Sequence, residues 1–305
     1  MTAHAADTNC QRPLAAKLKF DYFPEMRYDR MELLWKGGGM MEFRCPICTG
    51  KLNQEGRVWR CGKNHAFDVA RQGYVNLLPV QHKHSLQPGD TREQVLSRRA
   101  FLESGAYAPI VEAVRDAAVR HAHGPVLDVG CGEGYYAVQV AQALGAELTG
   151  LDISKEAVRC AAAKYKNASW VCGTAAHLPI EDGSVGLLMS MFALTMPEEF
   201  HRVLTEDGIF IQVLAGEDHL LGLKSIIYPE VFQQVKNTTP QVPGFRLIES
   251  IPVSFPFTAE GQQVQNLLSM TPHFWRISAE GARRLRETER LEDRASCVVN
   301  VFRKA

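Results

Sequence analysis

From residue 125 onwards, short apolar runs alternate with amphipathic segments, and this alternation is the clearest pattern in the chain. Short apolar runs rich in β-branched residues are typical of buried strands, whereas the intervening segments have the period of helices. A regular alternation of strands and helices indicates a parallel sheet covered on both faces. The sequence therefore predicts a doubly wound, Rossmann-like α/β domain. Its predicted strands are 125–129, 146–151, 168–172, 185–190 and 208–214, and its predicted helices are 134–144, 154–166 and 197–204.

A glycine-rich turn follows the first predicted strand, and Asp152 ends the second. Ligands of such domains bind at the carboxyl ends of the strands, where glycine lets the backbone approach closely. The G-x-G-x-G spacing differs from the phosphate-binding G-x-G-x-x-G loop, and acidic side chains accompany it. These features favour S-adenosylmethionine, a cationic ligand without phosphate, with Asp152 accepting its ribose hydroxyls; an ordinary strand–helix turn is the alternative. The predicted cofactor contacts are Asp128, Gly130, Gly132, Glu133, Gly134 and Asp152.

Nearer the N-terminus, three cysteines and a histidine are spaced C-x2-C, twelve residues, C-x3-H. Three thiolates and an imidazole complete a tetrahedral zinc site without an open position, so the metal would be structural. A hairpin between the two ligand pairs, turning near Gly56, predicts a small zinc-ribbon-like domain. Reduced thiols in a loop are the alternative interpretation. The predicted ligands are Cys45, Cys48, Cys61 and His65.

Charge is unevenly distributed, although the 305-residue chain is formally neutral. Residues 41–100 contain ten Lys and Arg against five Asp and Glu, whereas residues 101–305 contain eighteen against twenty-four. This asymmetry suggests an anionic partner at one end of the molecule, with a solvated polar surface as the alternative. No apolar run approaches the length of a membrane span, and the N-terminus lacks the pattern of a secretory signal, so we expect a cytoplasmic protein.

Four segments are expected from these patterns. Residues 1–40 show no clear period and are interpreted as a mis-called extension preceding a start at Met40 or Met41, or as a flexible tail. Residues 41–80 form the zinc-binding domain, residues 81–108 a basic connector and residues 109–305 the methyltransferase domain. In the connector, a helix capped by Asp90 or Thr91 carries Arg98 and Arg99.

Arg98 and Arg99 are interpreted either as phosphate contacts or as exposed charges that pair with Glu93 and Glu103. On the catalytic side, Met191 and Phe192 follow the fourth strand, where either could stack on a planar base, although a core role is favoured for each. His219 lies beyond the fifth strand and could reach the cofactor, but a solvent-facing histidine is the favoured alternative. The aromatic segment 271–275 either closes the sheet or lines the acceptor cleft.

Several stretches together resemble the RlmA group of large-subunit ribosomal RNA guanine-N1 methyltransferases, from about Phe43 to the C-terminus. Beyond the Cys3His cluster and the glycine loop, the similarity lies in residues 73–83, residues 98–102 and residues 270–272. The resemblance implies methylation of one guanine in a domain II hairpin of 23S rRNA, a zinc domain that recognises RNA, and a homodimer. It also implies cofactor contacts from Tyr107, Gly132, Glu133 and His219.

The sequence departs from expectation after the fourth strand, where residues 193–197 replace a proline-containing turn. It shows no unambiguous general base for removing the guanine N1 proton, and it does not assign the family branch. Two other functions remain open from the residues. One is a methyltransferase that acts on another RNA or on a small molecule, and the other is a non-enzymatic zinc protein that binds RNA.

Overall fold

A computed structural model describes residues 41–79, 81, 88–231 and 235–305. Residues 1–40, which the sequence analysis interprets as an extension, lie outside the described residues. So does most of the predicted connector before residue 88. The described residues, from residue 41 onwards, belong to one compact unit. The boundaries expected within this unit, near residues 80 and 108, stay predictions.

Three short antiparallel strands form the N-terminal ribbon: β1 (Leu52–Glu55), β2 (Val58–Cys61) and β3 (Ala66–Asp68). The predicted hairpin is confirmed, since β1 and β2 pair across a turn in which Gly56 has φ +63°. The third strand was not predicted. Phe43 and Trp59 are buried beneath the ribbon, with ring centroids 4.8 Å apart. These two aromatic side chains supply much of the apolar burial that so short a segment has available.

The chain then leaves the ribbon and joins the large sheet through β4 (Tyr74–Asn76). This strand lies parallel to β7 (Ser169–Cys172) at the sheet edge, and the Leu77 N–H donates to the Cys172 carbonyl at 2.8 Å. A second link is an isolated bridge between Phe43 and Ile180. The N-terminal region is therefore connected to the sheet through β4 and to the segment that follows β7 through the bridge at Phe43.

Two helices precede the first strand of the alternating region. Helix α1 (Arg92–Glu103) begins at Thr91, whose side chain and that of Gln94 form a reciprocal capping box. Helix α2 (Ala108–His121) has Pro109 in its first turn, where a missing N–H costs nothing. Both predicted starts are confirmed.

Eight strands form the main sheet, in the order β10-β11-β9-β8-β5-β6-β7-β4. Strands β4 to β9 run parallel to one another. Strands β10 and β11 pair antiparallel over most of their length, and β11 also pairs antiparallel with β9. The five predicted strands are confirmed as β5 to β9, and their residues at the centre of the sheet are buried, which explains their continuous apolar runs. The remaining strands are β5 (Val126–Val129), β6 (Leu148–Asp152), β8 (Val185–Met191), β9 (Leu204–Ala215), β10 (Phe245–Glu260) and β11 (Arg290–Lys304).

Helices connect these strands, and the three predicted helices are confirmed as α3 to α5. Strand β5 has β6 on one side and β8 on the other, so the strand order reverses at β5. A crevice at the carboxyl ends of the strands is expected at such a reversal. Among the described residues, none of the helices has both the length and the apolar character needed to span a bilayer. The remaining helices are α3 (Tyr135–Leu144), α4 (Lys155–Lys164), α5 (Pro197–Val203), α6 (Leu221–Ile227), α7 (Gln262–Ser269), a 3₁₀ helix (Pro272–Trp275) and α8 (Ala279–Arg286).

Candidate cofactor cavity and metal centre

A cavity of about 1160 Å³ opens at the carboxyl ends of the central strands. It is walled by the glycine loop, by residues after β6, β7 and β8, and by the segment around the 3₁₀ helix. Seven of the eight residues predicted to contact a cofactor line it, and Gly134 lies just beneath the loop surface. Those seven are Tyr107, Asp128, Gly130, Gly132, Glu133, Asp152 and His219.

The glycines of the loop are required mainly by neighbouring protein atoms. All three have positive φ, between +55° and +85°. A Cβ on Gly130 would lie 2.7 Å from the Ala193 Cβ, and one on Gly134 would come well within 3.0 Å of the Trp170 ring. Of the three glycines, only Gly132 has space for a Cβ, which would lie 3.7 Å from its nearest neighbour, Arg98 Nη1. Gly132 is therefore the position at which the backbone can approach a ligand.

Asp152 is held at the end of β6 by two backbone donors. Its Oδ2 accepts the Gly132 N–H at 2.9 Å, and its Oδ1 accepts the Ser154 N–H at 2.7 Å. Each carboxylate oxygen keeps a further lone pair, so the group can also accept two hydroxyl donors. Asp152 thus links the glycine loop to β6 and faces the cavity in a fixed orientation suited to a ribose.

Two other acids lie on the cavity floor with unpartnered oxygen atoms, Asp128 Oδ1 and Glu133 Oε1. Burial raises the pKa of Asp128 to about 8, and the charges of Asp152 and Glu133 act in the same direction. Burial also raises the pKa of Glu133, against the effect of a backbone hydrogen bond and Arg98. A bound cation would favour the charged form of these buried acids and so lower their pKa values. The sulfonium and ammonium groups of S-adenosylmethionine are such cations.

Tyr107 closes one wall of the cavity. The residue is 1% exposed, and its ring packs edge-on against Phe101 and Phe257 at centroid distances of 5.2 and 5.8 Å. Its buried hydroxyl has no hydrogen-bond partner among the described residues. Burial raises the Tyr107 pKa, so the hydroxyl stays protonated and can donate to a ligand.

His219 lies beside Tyr107 in the cavity wall, with the two ring centroids 6.2 Å apart. Its Nδ1 accepts the Ser296 N–H at 3.1 Å, so Nε2 carries the proton of the neutral ring. Burial lowers the His219 pKa to about 4, with Lys224 and Lys236 acting in the same direction. The residue pattern alone favours a solvent-facing histidine, whereas the family resemblance implies a cofactor contact. The structure places the His219 ring in the wall of the cavity, which agrees with the second interpretation.

Phe192 stacks on His219, with ring centroids 6.1 Å apart and an angle of 24° between the planes. It follows β8 with φ +54°, a strained conformation for a bulky side chain, and it is 40% exposed. Met191 beside it is buried, so the core role favoured by the sequence is confirmed for Met191 and wrong for Phe192. An exposed, strained aromatic side chain at a cavity mouth is typical of a ligand contact.

Exposed apolar side chains line the cavity at Leu194 and Trp275, together with exposed charged ones at Glu217, Glu230 and Arg276. His273, on the same 3₁₀ helix as Trp275, is linked through Nδ1 to the Tyr228 hydroxyl at 2.9 Å. Of the two interpretations of segment 271–275, the structure thus supports the one in which it lines the cleft.

The four predicted metal ligands converge in the ribbon. Their donor atoms all lie within 4.8 Å of one another. The Cys48 and Cys61 sulfurs are 3.6 Å apart, and His65 Nδ1 lies 3.4 Å from the sulfurs of both Cys45 and Cys61. Tetrahedral zinc separates two sulfurs by about 3.8 Å and a sulfur and a nitrogen by about 3.5 Å. The cluster therefore has the size and donor set of a closed, structural zinc site.

Most cations predicted to face an anionic partner are already paired. Arg99 Nε lies 2.9 Å from Glu103, which is the pairing alternative considered from the sequence. Arg98 pairs with Asp90 at 2.5 Å instead of with Glu93. The side chains of Lys63, between two ribbon strands, of Arg71, just after the ribbon, and of Arg92, at the start of α1, are exposed and make no hydrogen bond or ion pair with a described residue; Lys63 and Arg71 lie nearer the metal ligands in sequence. These two side chains are the best placed to meet an external anion.

Sequence reasoning missed the joint placement of Asp90, Arg98 and Met270 at the cavity edge. Arg98 Nη2 donates to Asp90 Oδ2 and lies 3.5 Å from the Met270 carbonyl oxygen, 172 residues along the chain. No local pattern links these positions. The sequence signal is an arginine on a predicted helix, and it is interpreted either as a phosphate contact or as a charge paired with an acidic residue; the structure shows the pairing, with Asp90 as the partner.

Comparisons with known proteins agree with both halves of this architecture. Residues 43–86 match the family described as the RlmA N-terminal zinc ribbon, and residues 126–208 match a methyltransferase domain. A Micromonospora griseorubida protein, which its name assigns to 23S rRNA (guanine-N1) methylation, is 37% identical over 202 residues, covering 59% of this chain and 68% of that protein. The chain belongs to the 23S rRNA (guanine-N1)-methyltransferase family.

Two further members of the 23S rRNA (guanine-N1)-methyltransferase family align with the chain. The Streptomyces fradiae 23S rRNA (guanine(748)-N(1))-methyltransferase is 40% identical over 186 residues, which is 59% of this chain and 65% of that enzyme. YxjB of Bacillus subtilis (strain 168), which its name assigns to the same modification, is 28% identical over 260 residues, 80% of this chain and 91% of YxjB. Membership of this family makes S-adenosylmethionine the cofactor and zinc the metal of the ribbon.

Proposed function

We propose that this protein transfers a methyl group from S-adenosylmethionine to N1 of a guanine in 23S rRNA, within a domain II hairpin. The observation that carries the proposal is the combination, in one compact unit, of a Cys3His ribbon and a cavity floored by Asp128, Glu133 and Asp152. A small-molecule methyltransferase would need the cavity but not the ribbon. The family named above supports the choice of 23S rRNA.

The mouth of the cavity suits a planar acceptor. Phe192 and His219 form a stacked pair there, and stacking on an aromatic side chain is the usual way in which a protein holds an unpaired base. Guanine N1 lies on the Watson–Crick edge, so the target must be in a loop or be flipped out of its helix. We therefore propose that Phe192 packs against the target guanine.

N1 of guanine bears a proton, which passes to water as the N–C bond forms and the bond from the sulfonium to the methyl carbon breaks. His219 is neutral and has its Nδ1 occupied, so it is a hydrogen-bond donor at neutral pH and not the base. Asp128 lies on the cofactor floor and is largely protonated at neutral pH. We attribute much of the acceleration to positioning of N1 in line with the methyl group.

We further propose that the ribbon contacts the RNA backbone through Lys63 and Arg71, that the protein acts in the cytoplasm, and that it works as a homodimer whose cleft holds the hairpin. Phosphate contacts by lysine and arginine make binding strongly dependent on salt. Light scattering of the purified protein, with and without a domain II RNA fragment, measures the mass of the assembly. A monomer in both samples would contradict the dimer.

Reverse transcription across domain II of 23S rRNA tests the main proposal. N1 methylation blocks Watson–Crick pairing and stops the polymerase, so wild-type cells should show a stop that deletion cells lack. The region read should include guanine 748, the position in the name of the Streptomyces enzyme. The control is the deletion strain complemented with the wild-type gene, which should regain the stop. Identical stops in deletion and wild-type cells would refute the assignment.

The remaining alternative is methylation of another RNA or of a small molecule. Purified protein with radiolabelled S-adenosylmethionine can be given unmodified 23S rRNA, total RNA without 23S rRNA, or an RNA-free cell extract. Label in 23S rRNA alone supports the proposal, whereas label that appears only in one of the other two samples supports the alternative.

A further inference from the structure

Arg98 carries a positive charge at the glycine-loop side of the cavity. Its Nη2 donates to Asp90 Oδ2 at 2.5 Å, and the guanidinium passes above Gly132. Its Nε is buried and has no hydrogen-bond partner among the described residues, and Nη1 forms no hydrogen bond with a described residue either. Arg98 lines the cavity and is held by one carboxylate, so its guanidinium has the capacity to bind a second acceptor there.

The charges around the cavity indicate what that acceptor is. The carboxyl groups of Asp128, Glu133 and Asp152 lie on the loop side, and the cationic groups of bound S-adenosylmethionine favour their charged form. The cofactor also carries a carboxylate on its methionyl end, which these acids would repel. On the opposite wall, Lys224 Nζ already donates to the His219 carbonyl at 2.6 Å and Lys236 Nζ to the Gly216 carbonyl at 3.0 Å.

We propose that Arg98 binds the methionyl carboxylate of S-adenosylmethionine through the donors that Asp90 leaves unused. Asp90 then acts as a positioning residue, because its contact with Nη2 fixes the guanidinium over Gly132. This arrangement matches the alternation of charge on the ligand: acids face the sulfonium and the ammonium, and the arginine faces the carboxylate. The proposal requires S-adenosylmethionine as cofactor but not 23S rRNA as substrate.

Calorimetric titration with two ligands tests it: S-adenosylmethionine and its decarboxylated analogue, which differ only in the carboxylate. A charge-assisted hydrogen bond predicts that the wild-type protein prefers S-adenosylmethionine by about tenfold to a hundredfold. In Arg98→Met, the ratio of the two dissociation constants should fall toward one, with most of the change in the affinity for S-adenosylmethionine. Arg99→Met, the next residue on α1 and paired with Glu103, is the matched control and should keep the wild-type ratio.

A ratio unchanged in Arg98→Met would overturn the proposal, because a purely structural arginine would weaken both ligands equally. If Arg98→Met does not fold by circular dichroism, Arg98→Lys and Arg98→Gln give the same test. Lysine should keep part of the preference and glutamine should lose most of it; equal ratios in these two variants would also overturn the proposal. If the wild-type protein prefers S-adenosylmethionine to the decarboxylated analogue and Arg98→Met loses that preference, but the wild-type protein does not methylate RNA, then only the proposed function fails.

Discussion

Adding one methyl group at either end of α3 separates steric crowding from backbone strain. Gly134 and Gly145 flank this helix, both in the left-handed region, with φ +85° and +61°. A Cβ on Gly134 would overlap the buried Trp170 ring, whereas a Cβ on Gly145 would meet nothing within 4 Å. Gly134→Ala and Gly145→Ala therefore share the cost of a positive φ, and only the first adds a clash.

The expected magnitudes follow from these two terms. Left-handed backbone costs a non-glycine residue about 1–2 kcal/mol, and forcing a methyl group into a packed core typically costs a further ~1–3 kcal/mol. Gly145→Ala should thus lose about 1–2 kcal/mol of unfolding free energy and Gly134→Ala about 2–5 kcal/mol. The loss of unfolded-state entropy on replacing glycine stabilises both variants alike, so it cancels in the comparison.

Urea unfolding of the zinc-loaded protein, followed by far-ultraviolet circular dichroism, measures the difference. A smaller side chain at position 170 should relieve only the clash, so Trp170→Leu should reduce the additional cost of Gly134→Ala and leave that of Gly145→Ala unchanged. Equal losses for the two alanine variants would refute the reasoning, since the packing of Trp170 would then not be what requires glycine at position 134.

Three further outcomes are expected. The purified protein should contain one zinc per chain by atomic emission, and Cys48→Ser should reduce the zinc content and unfold the ribbon; full occupancy without all four ligands would contradict the closed site. Cofactor binding should lower the Asp128 pKa from about 8 and so release protons near pH 7, which makes the affinity for the cofactor rise from pH 6 to pH 8. Calorimetry in buffers of different ionisation enthalpy measures the number of protons released. The Asp128→Asn variant should lose this proton release. Phe192→Leu should raise the RNA KM about tenfold or more, as expected for the loss of one base-stacking contact, without changing cofactor affinity; an unchanged KM would remove Phe192 from the acceptor site.

The parts of the fold that could be predicted are those marked by a pattern among residues close together in the sequence. Strands β5 to β9 appear as apolar runs because both faces of each strand are covered, and the four zinc ligands come in two closely spaced pairs. Strands β10 and β11 are not among the five strands predicted from the alternating pattern. The residues of β10 are mostly exposed or half-buried, so no continuous apolar run marks the strand.

What could not be predicted depends on pairs of residues distant in sequence. Nothing in residues 74–76 indicates pairing with β7, and nothing near Gly134 indicates that Trp170 would lie against it. The sequence assigned every glycine of the loop to ligand approach, whereas two of the three are needed because of Ala193 and Trp170. The exposure of Phe192 was also missed, because strain at one residue leaves no periodic signal.

Strand β4 has a consequence for how a target nucleotide is chosen. Because this strand continues directly from the ribbon into the same sheet that carries Asp152, the ribbon cannot swing freely relative to the methyl donor. If the ribbon binds the RNA as proposed, the distance between the RNA-binding surface of the ribbon and the cofactor cavity is fixed. The guanine that is modified would then be set by its distance from the gripped helix, so inserting one base pair between the two should move the methyl group to a neighbouring position or abolish the reaction.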